Sequence, residues 1–132
     1  MMSIRSDRLA LATGLALAVT LIVAGSAQAG TTKLVEDIAA GDSDPWQLTA
    51  YQGHVFFSAT TPGEGRELWK SDGTRAGTKL VRDIWPGAGS SGPLDLTVVA
   101  GILYFSAERD HDGRELWRTD GTRAGTWRAK QP

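Results

Sequence analysis

Apolar residues occupy successive positions in several short runs of this chain, and turn-forming residues separate the runs. Val55, Phe56 and Phe57 form one such run, and residues 102–105, Ile-Leu-Tyr-Phe, form another. Because successive residues of a strand point to opposite faces of its sheet, these runs place apolar side chains on both faces. A sheet with one solvated face would instead alternate apolar and polar residues. The pattern therefore predicts strands that are covered on both sides.

Glycine-containing turns divide the runs into short antiparallel strands. Gln52-Gly53 and Ala100-Gly101 are two-residue links with glycine second, as in tight hairpins, where glycine adopts the positive φ that the turn needs. The predicted strands are 47–51, 54–59, 67–71, 78–84, 95–99, 102–107 and 115–119. No window after residue 30 has the 3.6-residue apolar period of a helix, so an all-β fold is expected.

The strand pattern is repeated along the chain. Residues 66–78 read RELWKSDGTRAGT and return as RELWRTDGTRAGT at 114–126. The match extends to a first copy at 33–78 and a second copy at 79–126, and the tail 127–132 does not continue it. Four-stranded units of about 46–48 residues, covered on both faces, are typical of the blades of a β-propeller.

Two blades are fewer than the roughly four to eight of a closed propeller. The chain would then be part of a longer array or would associate with other units, because bare apolar faces and unpaired sheet edges promote association. A compact sandwich of two sheets is the alternative. In that arrangement, residues 33–38 form an initial strand that completes the second sheet.

The repeated block ELW-x-x-DGT-x-x-GT, at 67–78 and 115–126, resembles the ELWxxDGT repeat family of exported bacterial proteins, some of which are described as hyalin-like. The KLVxDI segments at 33–38 and 79–84 and the LYFSA segment at 103–107 also resemble that family's pattern. The resemblance covers nearly all of residues 33–126. It implies a propeller-like, all-β array, and it carries no defined catalytic residues over to this chain. Relatives have many copies, whereas this chain has two.

The N-terminal residues have the layout of a secretory signal peptide. Arg5 and Arg8 precede an apolar stretch that begins at Leu9, and residues 27–29 form an A-x-A cleavage site. Residues 1–29 are therefore predicted to be removed. Residues 30–132 would then work outside the cytoplasm, secreted or at the cell surface, with the periplasm as the alternative. A permanent membrane anchor of about this length is the competing interpretation.

The amino-acid composition excludes several kinds of partner and functional site. The chain has 14 Lys and Arg against 15 Asp and Glu, a formal net charge of −1, and no basic stripe, which argues against a nucleic-acid partner. It has no cysteine, which excludes disulfides, thiolate metal sites and a cysteine nucleophile. It has two histidines and none of the common hydrolase or phosphate-binding motifs, so neither enzymatic activity nor a cofactor is expected.

Three carboxylates are the candidate metal ligands: Asp110, Asp112 and Glu115. They lie in and just after the loop 109–113, and calcium takes carboxylate and carbonyl oxygens from loops of this kind. The remaining ligands of an EF-type loop are missing, so a solvated polar loop is the competing interpretation. The calcium site is therefore a hypothesis.

The polar residues of the repeated block are interpreted as structural. Asp72 and Asp120 are expected to form turns with the glycines that follow them. Arg66 and Arg114, with Glu67 and Glu115, are expected to make contacts between units, as an ion pair or a stacked arginine.

Four of the five tryptophans divide into two groups. Trp69 and Trp117 occupy the same strand position in both copies, which predicts core packing. Trp46 and Trp85 lie near the links between units and are the freer candidates for stacking on a sugar ring.

These observations predict an exported β-repeat module with a binding, adhesion or structural role and without catalytic activity. Its expected partners are an extracellular carbohydrate or protein, further repeat units, or other copies of itself. Neither nucleic acid nor, after signal cleavage, a membrane is expected as a partner. The alternative is a truncated remnant of a longer propeller-like array without independent function.

Overall fold

The computed structural model describes residues 33–129, which form two four-stranded antiparallel sheets. The predicted signal peptide and the last residues of the tail lie outside the described part of the chain. Residues 33–129 contain no helix, and so none that could span a membrane. The expectation of an all-β fold is confirmed.

The two sheets have the same strand order. Sheet 1 consists of β1 (Trp46–Tyr51), β2 (His54–Thr61), β3 (Gly65–Ser71) and β4 (Lys79–Arg82), each paired with the next. Sheet 2 consists of β5 (Leu94–Val99), β6 (Ile102–Glu108), β7 (Arg114–Thr119) and β8 (Trp127–Arg128). All seven predicted strands agree with these bounds within two residues at each end, and β4 is shorter than predicted.

The edge of sheet 2 differs from the alternative in which residues 33–38 complete it. Those residues are not a strand, and β8, from the tail, is the fourth strand instead. β8 pairs Arg128 with Trp117, as Leu80 of β4 pairs with Trp69. Because strand pairing uses backbone groups, β8 forms although its side chains do not continue the repeat.

Both tight hairpins have the expected turn. Gln52 and Gly53 have φ values of 47° and 72°, and Ala100 and Gly101 have values of 49° and 76°. Two central residues with positive φ are the mark of a type I′ turn, whose twist matches that of the flanking strands.

The DGT segments form a second turn, which a network of hydrogen bonds holds. Asp72 Oδ1 accepts hydrogen bonds from the backbone N–H and the hydroxyl of Thr74, at 2.9 and 2.6 Å. The Thr74 hydroxyl accepts from Gly77 N–H at 3.0 Å, and the Thr78 hydroxyl donates to Thr74 O at 2.8 Å. The same contacts recur at residues 120–126. The turn interpretation of both aspartates is confirmed.

This network explains why the block ends in x-x-GT. A Cβ at Gly77 would overlap the Asp72 carboxylate, and one at Gly125 would overlap Asp120. The hydrogen bonds from Thr74 lower the pKa of Asp72, and those from Thr122 lower the pKa of Asp120. The aspartate, the threonines and the second glycine of each block are therefore one structural unit.

Each sheet has two faces that the pairing defines. In sheet 1, Phe56 lies opposite Lys70 and Ser58 opposite Leu68, which places these residues on one face, here called the front. The other face, the back, carries Val55, Phe57 and Trp69. The front of sheet 2 carries the equivalent residues Tyr104, Leu116 and Arg118, and its back carries Leu103, Phe105 and Trp117.

The front of sheet 1 packs against the back of sheet 2. One buried cluster joins both surfaces, and its members are Tyr51, Phe56, Leu68, Val81, Ile84, Leu96, Leu103, Phe105, Ala107 and Trp117. The back of sheet 1 has its own cluster, in which Phe57 and Ala59 pack with Ile38 from the segment before β1. Strand β2 is thus buried on both faces, as its sequence predicted.

Gly77→Ala is predicted to destabilise the protein, because the added methyl group displaces the carboxylate that holds the turn. The melting temperature should fall by on the order of 5 °C. Gly63→Ala is the matched control, since nothing lies within 4 Å of a Cβ there and its φ is not positive. Thermal unfolding followed by circular dichroism measures both, and equal melting temperatures would contradict the account of the turn.

Candidate functional site

The most unusual polar group of the described residues is the carboxylate of Glu67, which is fully buried on β3. Its Oε2 accepts hydrogen bonds from Ile84 N–H at 3.1 Å and from the Ser91 hydroxyl at 2.6 Å. Its Oε1 accepts from Trp85 N–H at 3.0 Å and from Ser91 N–H at 3.2 Å. All four donors belong to the link between β4 and β5, so the carboxylate fixes that link against sheet 1.

Burial dominates the electrostatics of this group. It raises the pKa of Glu67 from 4.5 to about 7, although the hydrogen bonds from Ser91, Trp85 and Ile84 act in the opposite direction. The donors are backbone and hydroxyl groups, which do not supply the full charge that would compensate desolvation. Glu67 is therefore held close to the midpoint of its titration at neutral pH.

A carboxyl group with a pKa near 7 is otherwise typical of a general acid or base. Glu67 is 0 % exposed, and the four donors occupy the acceptor positions of both oxygens. A substrate has no path to this group while the link is in place. The arrangement of Glu67 is that of a structural anchor.

The equivalent residue of the second copy has a different role. Glu115 is half-buried, and its two oxygens accept hydrogen bonds from Arg128 Nη1 at 2.8 and 2.7 Å. This ion pair joins β7 to β8 within sheet 2. The contact between units is thus made by Glu67 through three backbone N–H groups and the Ser91 hydroxyl. No ion pair between the sheets involves either glutamate in the described residues, so the expected ion pair is not the form of this contact.

The two arginines that precede these glutamates bind the links. Arg66 Nη2 forms an ion pair with Asp44 at 2.6 Å, which ties β3 to the segment before β1. Arg114 Nη1 donates to Gly92 O at 2.8 Å and to Ser106 O at 3.1 Å. Both arginines therefore connect a third strand to the segment that leads into the same sheet.

The candidate calcium ligands do not form a cluster. Asp110 and Asp112 are exposed, and Glu115 is engaged with Arg128. Asp110 lies 3.7 Å from Arg109, an interaction that partly neutralises the loop. Among residues 33–129, no group of three His, Cys, Asp or Glu side chains is placed to hold a metal ion. The described residues provide no set of calcium ligands, so the calcium site stays a prediction.

The tryptophans follow the sequence interpretation closely. Trp117 is buried in the cluster between the sheets, and Trp69 is partly buried on the back of sheet 1. Trp85 packs edge-on against His111, with ring centroids 5.4 Å apart. Trp46 is 56 % exposed, so it is the freer of the two candidates for ligand stacking.

Exposed apolar side chains gather on two neighbouring strands, β1 and β5, which contact each other across the sheets. Five of the eight large apolar residues exposed within 33–129 lie there: Trp46, Leu48, Leu94, Val98 and Val99. We call this group the β1–β5 strip. Exposed apolar side chains on neighbouring strands make it a candidate interaction surface.

Comparison with known proteins adds no family: no family model matches the chain, and no curated protein or solved structure shows a significant match. The resemblance to the ELWxxDGT repeat family therefore rests on the repeated block itself and stays a prediction.

The anchoring role of Glu67 was missed by the sequence interpretation. The available signal was a glutamate followed by leucine and tryptophan at the same position of both copies. A second signal was Ser91, in the serine-containing link, 24 residues after Glu67. The partners could not be found from side-chain patterns, because three of the four donors are backbone N–H groups.

Lowering the pH from above 7 towards 4.5 is predicted to stabilise the protein. The pKa of Glu67 rises on folding from 4.5 to about 7, so in this window the native state binds a proton that the unfolded chain has released. The free energy of unfolding therefore falls as the pH rises through the window. At about 1.4 kcal/mol for each pKa unit, the difference between its two ends is roughly 3 kcal/mol. Urea unfolding at a series of pH values measures it.

Glu67→Gln removes the titrating group and should abolish this part of the pH dependence. Glu115→Gln changes the equivalent half-buried position and should leave it intact. A Glu67→Gln protein with the same pH profile as the parent would contradict the assignment.

The calcium hypothesis predicts that calcium raises the melting temperature by several degrees and that a chelator reverses the effect. Asp110→Asn combined with Asp112→Asn should remove the response, because the loop loses its charged ligands. Glu64→Gln, in the equivalent loop of sheet 1, is the matched control and should keep it. A melting temperature that calcium leaves unchanged ends the hypothesis.

Proposed function

We propose that this chain is an exported, propeller-like repeat module that binds an extracellular ligand and has no catalytic activity. The two sheets are proposed to be propeller blades, since their strand order is the same and the front of one packs on the back of the next. The observation that carries the binding role is the β1–β5 strip, where exposed apolar side chains concentrate on adjacent strands.

The use of the motif's polar groups supports a non-catalytic role. Asp72 and Asp120 hold turns, Glu67 holds a link, and Glu115 pairs with Arg128. The four carboxylates of the two repeated blocks are thus engaged in contacts that maintain the fold. Proteins that share such a fold differ in their exposed surfaces. The exposed surface of this chain would therefore determine which ligand it binds.

An extracellular polysaccharide is the ligand class that the strip fits best. Trp46 presents a flat, largely exposed indole ring on β1, the strand that contacts β5. Tryptophan is suited to such contacts, because it combines a large apolar surface with an N–H donor. A protein ligand is the other outcome of the test, and a truncated remnant without a ligand is the alternative to the proposal.

Binding of the purified chain to immobilised polysaccharides such as chitin, cellulose and peptidoglycan tests the proposal, with purified envelope proteins as the second arm. Trp46→Ala should weaken binding at least about tenfold, because tryptophan carries a large share of the energy in binding sites. Leu34→Ala is the control, since Leu34 is exposed but lies outside the strip. No binding in either arm, or equal binding by both variants, would contradict the proposal.

A further inference from the structure

Each sheet has one face on which a leucine is exposed, although the equivalent leucine of the other sheet is buried. Leu68, on the front of sheet 1, is 0 % exposed, whereas its equivalent Leu116, on the front of sheet 2, is 54 % exposed. Thr49 and Thr97 pair with the front residues Phe56 and Tyr104, so the leucine before each of them lies on the back. On the backs the relation is reversed: Leu96 of sheet 2 is 8 % exposed and its equivalent Leu48 of sheet 1 is 53 % exposed. The internal interface covers one front and one back. The other front is open at Leu116, and the other back is buried at Phe57 and Ala59 by its own cluster but open at Leu48.

The surrounding residues follow the same rule. On the front of sheet 2, Val99 is exposed and Tyr104 partly exposed, whereas their equivalents Tyr51 and Phe56 are buried against sheet 2. On the back of sheet 1, Val55 is only partly buried, whereas its equivalent Leu103 is fully buried. The open front therefore matches the surface that sheet 1 offers to sheet 2, and the open back matches its counterpart.

Hydrogen bonding across the internal interface has an open equivalent as well. Lys70, on the front of sheet 1, donates to Gly121 O in the DGT turn of sheet 2, at 2.6 Å. Arg118 occupies the position of Lys70 on sheet 2. Its guanidinium carbon lies over the Trp127 ring, 4.5 Å from the ring centroid, and its Nε has no hydrogen-bond partner. Gly73, the equivalent of Gly121, lies exposed at the DGT turn of sheet 1.

The two sheets also bind the segments that precede them through an equivalent hydrogen bond. Ser43 O accepts a hydrogen bond from Thr60 N–H at 2.8 Å, as Ser91 O accepts from Glu108 N–H at 2.9 Å. The segment before β1 is therefore bound to sheet 1 at the same place where the link before β5 is bound to sheet 2.

We propose that the front of sheet 2 is a docking surface for the back of sheet 1 in a second copy of this chain, so that copies stack head to tail. The contact repeats the internal packing. Leu116 takes the place that Leu68 has in the internal interface, and Leu48 of the second copy takes the place of Leu96. Arg118 donates a hydrogen bond to Gly73 O of the second copy, as Lys70 does to Gly121 O. Such an interface is heterologous, because two different surfaces meet. The proposal goes beyond ligand binding and does not depend on it: Leu48 and Val99 of the β1–β5 strip would lie in the contact between copies, whereas Trp46 would stay exposed.

A second copy is the occupant because the chain carries both halves of the contact. The internal interface shows that a front of this composition and a back of this composition pack with buried leucines and a matched hydrogen bond. Two to four stacked copies would also bring the number of sheets to roughly four to eight, the range of closed propellers.

Sedimentation velocity of the purified chain over a concentration series tests the stacking. The parent protein is expected to show a mass that rises with concentration above that of the monomer. Leu116→Glu and Leu48→Glu should each weaken self-association at least about 100-fold, because docking would bury an unpaired charge. Trp46→Glu is the control and should associate like the parent, since this position is exposed in both sheets, at 56 % for Trp46 and 37 % for Leu94.

Mixing the two leucine variants gives the sharpest result. Leu48→Glu keeps an intact front on sheet 2, and Leu116→Glu keeps an intact back on sheet 1. An equimolar mixture should therefore form a 1:1 dimer and nothing larger, although each variant alone is monomeric. A mixture without a dimer, a self-associating single variant, or a parent that is monomeric at all concentrations would overturn the proposal.

Circular dichroism of each variant separates loss of docking from loss of folding. Both leucines are more than half exposed, so glutamate at either position leaves the interior unchanged. If one of the glutamate variants fails to fold, serine at the same position takes its place in the mixing experiment, with the same expected outcomes.

Discussion

The packing of the front of sheet 1 against the back of sheet 2 is the contact on which the rest of the structure depends. A single four-stranded sheet cannot bury its own apolar side chains, because each of its faces stays open to solvent unless another element packs on it. Phe56 and Leu68 of sheet 1 are buried in one cluster with Leu103 and Phe105 of sheet 2. The link, the turns and the ion pairs then hold two sheets whose relative position this contact has set.

Identical residues take different roles in the two copies because their neighbours differ. Glu67 is buried under the link and accepts four hydrogen bonds, whereas Glu115 pairs with Arg128 at the surface. Local turns are insensitive to this difference: the networks around Asp72 and Asp120 agree contact by contact. The turns are thus local products of the sequence, while the burial of the strands depends on which sheet comes next.

Most of the local structure could be predicted from the sequence. Apolar residues at successive positions of β2 predicted burial on both faces, and glycine-containing links predicted both hairpins. The partners of Glu67 could not be predicted, because backbone N–H groups leave no trace in side-chain patterns. β8 was also out of reach, since its pairing with β7 tolerates side chains that break the repeat. The candidate ligands at Asp110, Asp112 and Glu115 were close in sequence, but Arg128 engages the third of them.

The packing of front on back is tested most directly by the same substitution at the two equivalent leucines. In dilute solution, where copies do not associate, Leu68→Ala should lower the free energy of unfolding by about 2–5 kcal/mol, because it leaves a cavity between the sheets. Leu116→Ala should change it by less than about 1 kcal/mol, because that side chain is largely exposed. Urea unfolding that gives equal losses for both variants would contradict the account.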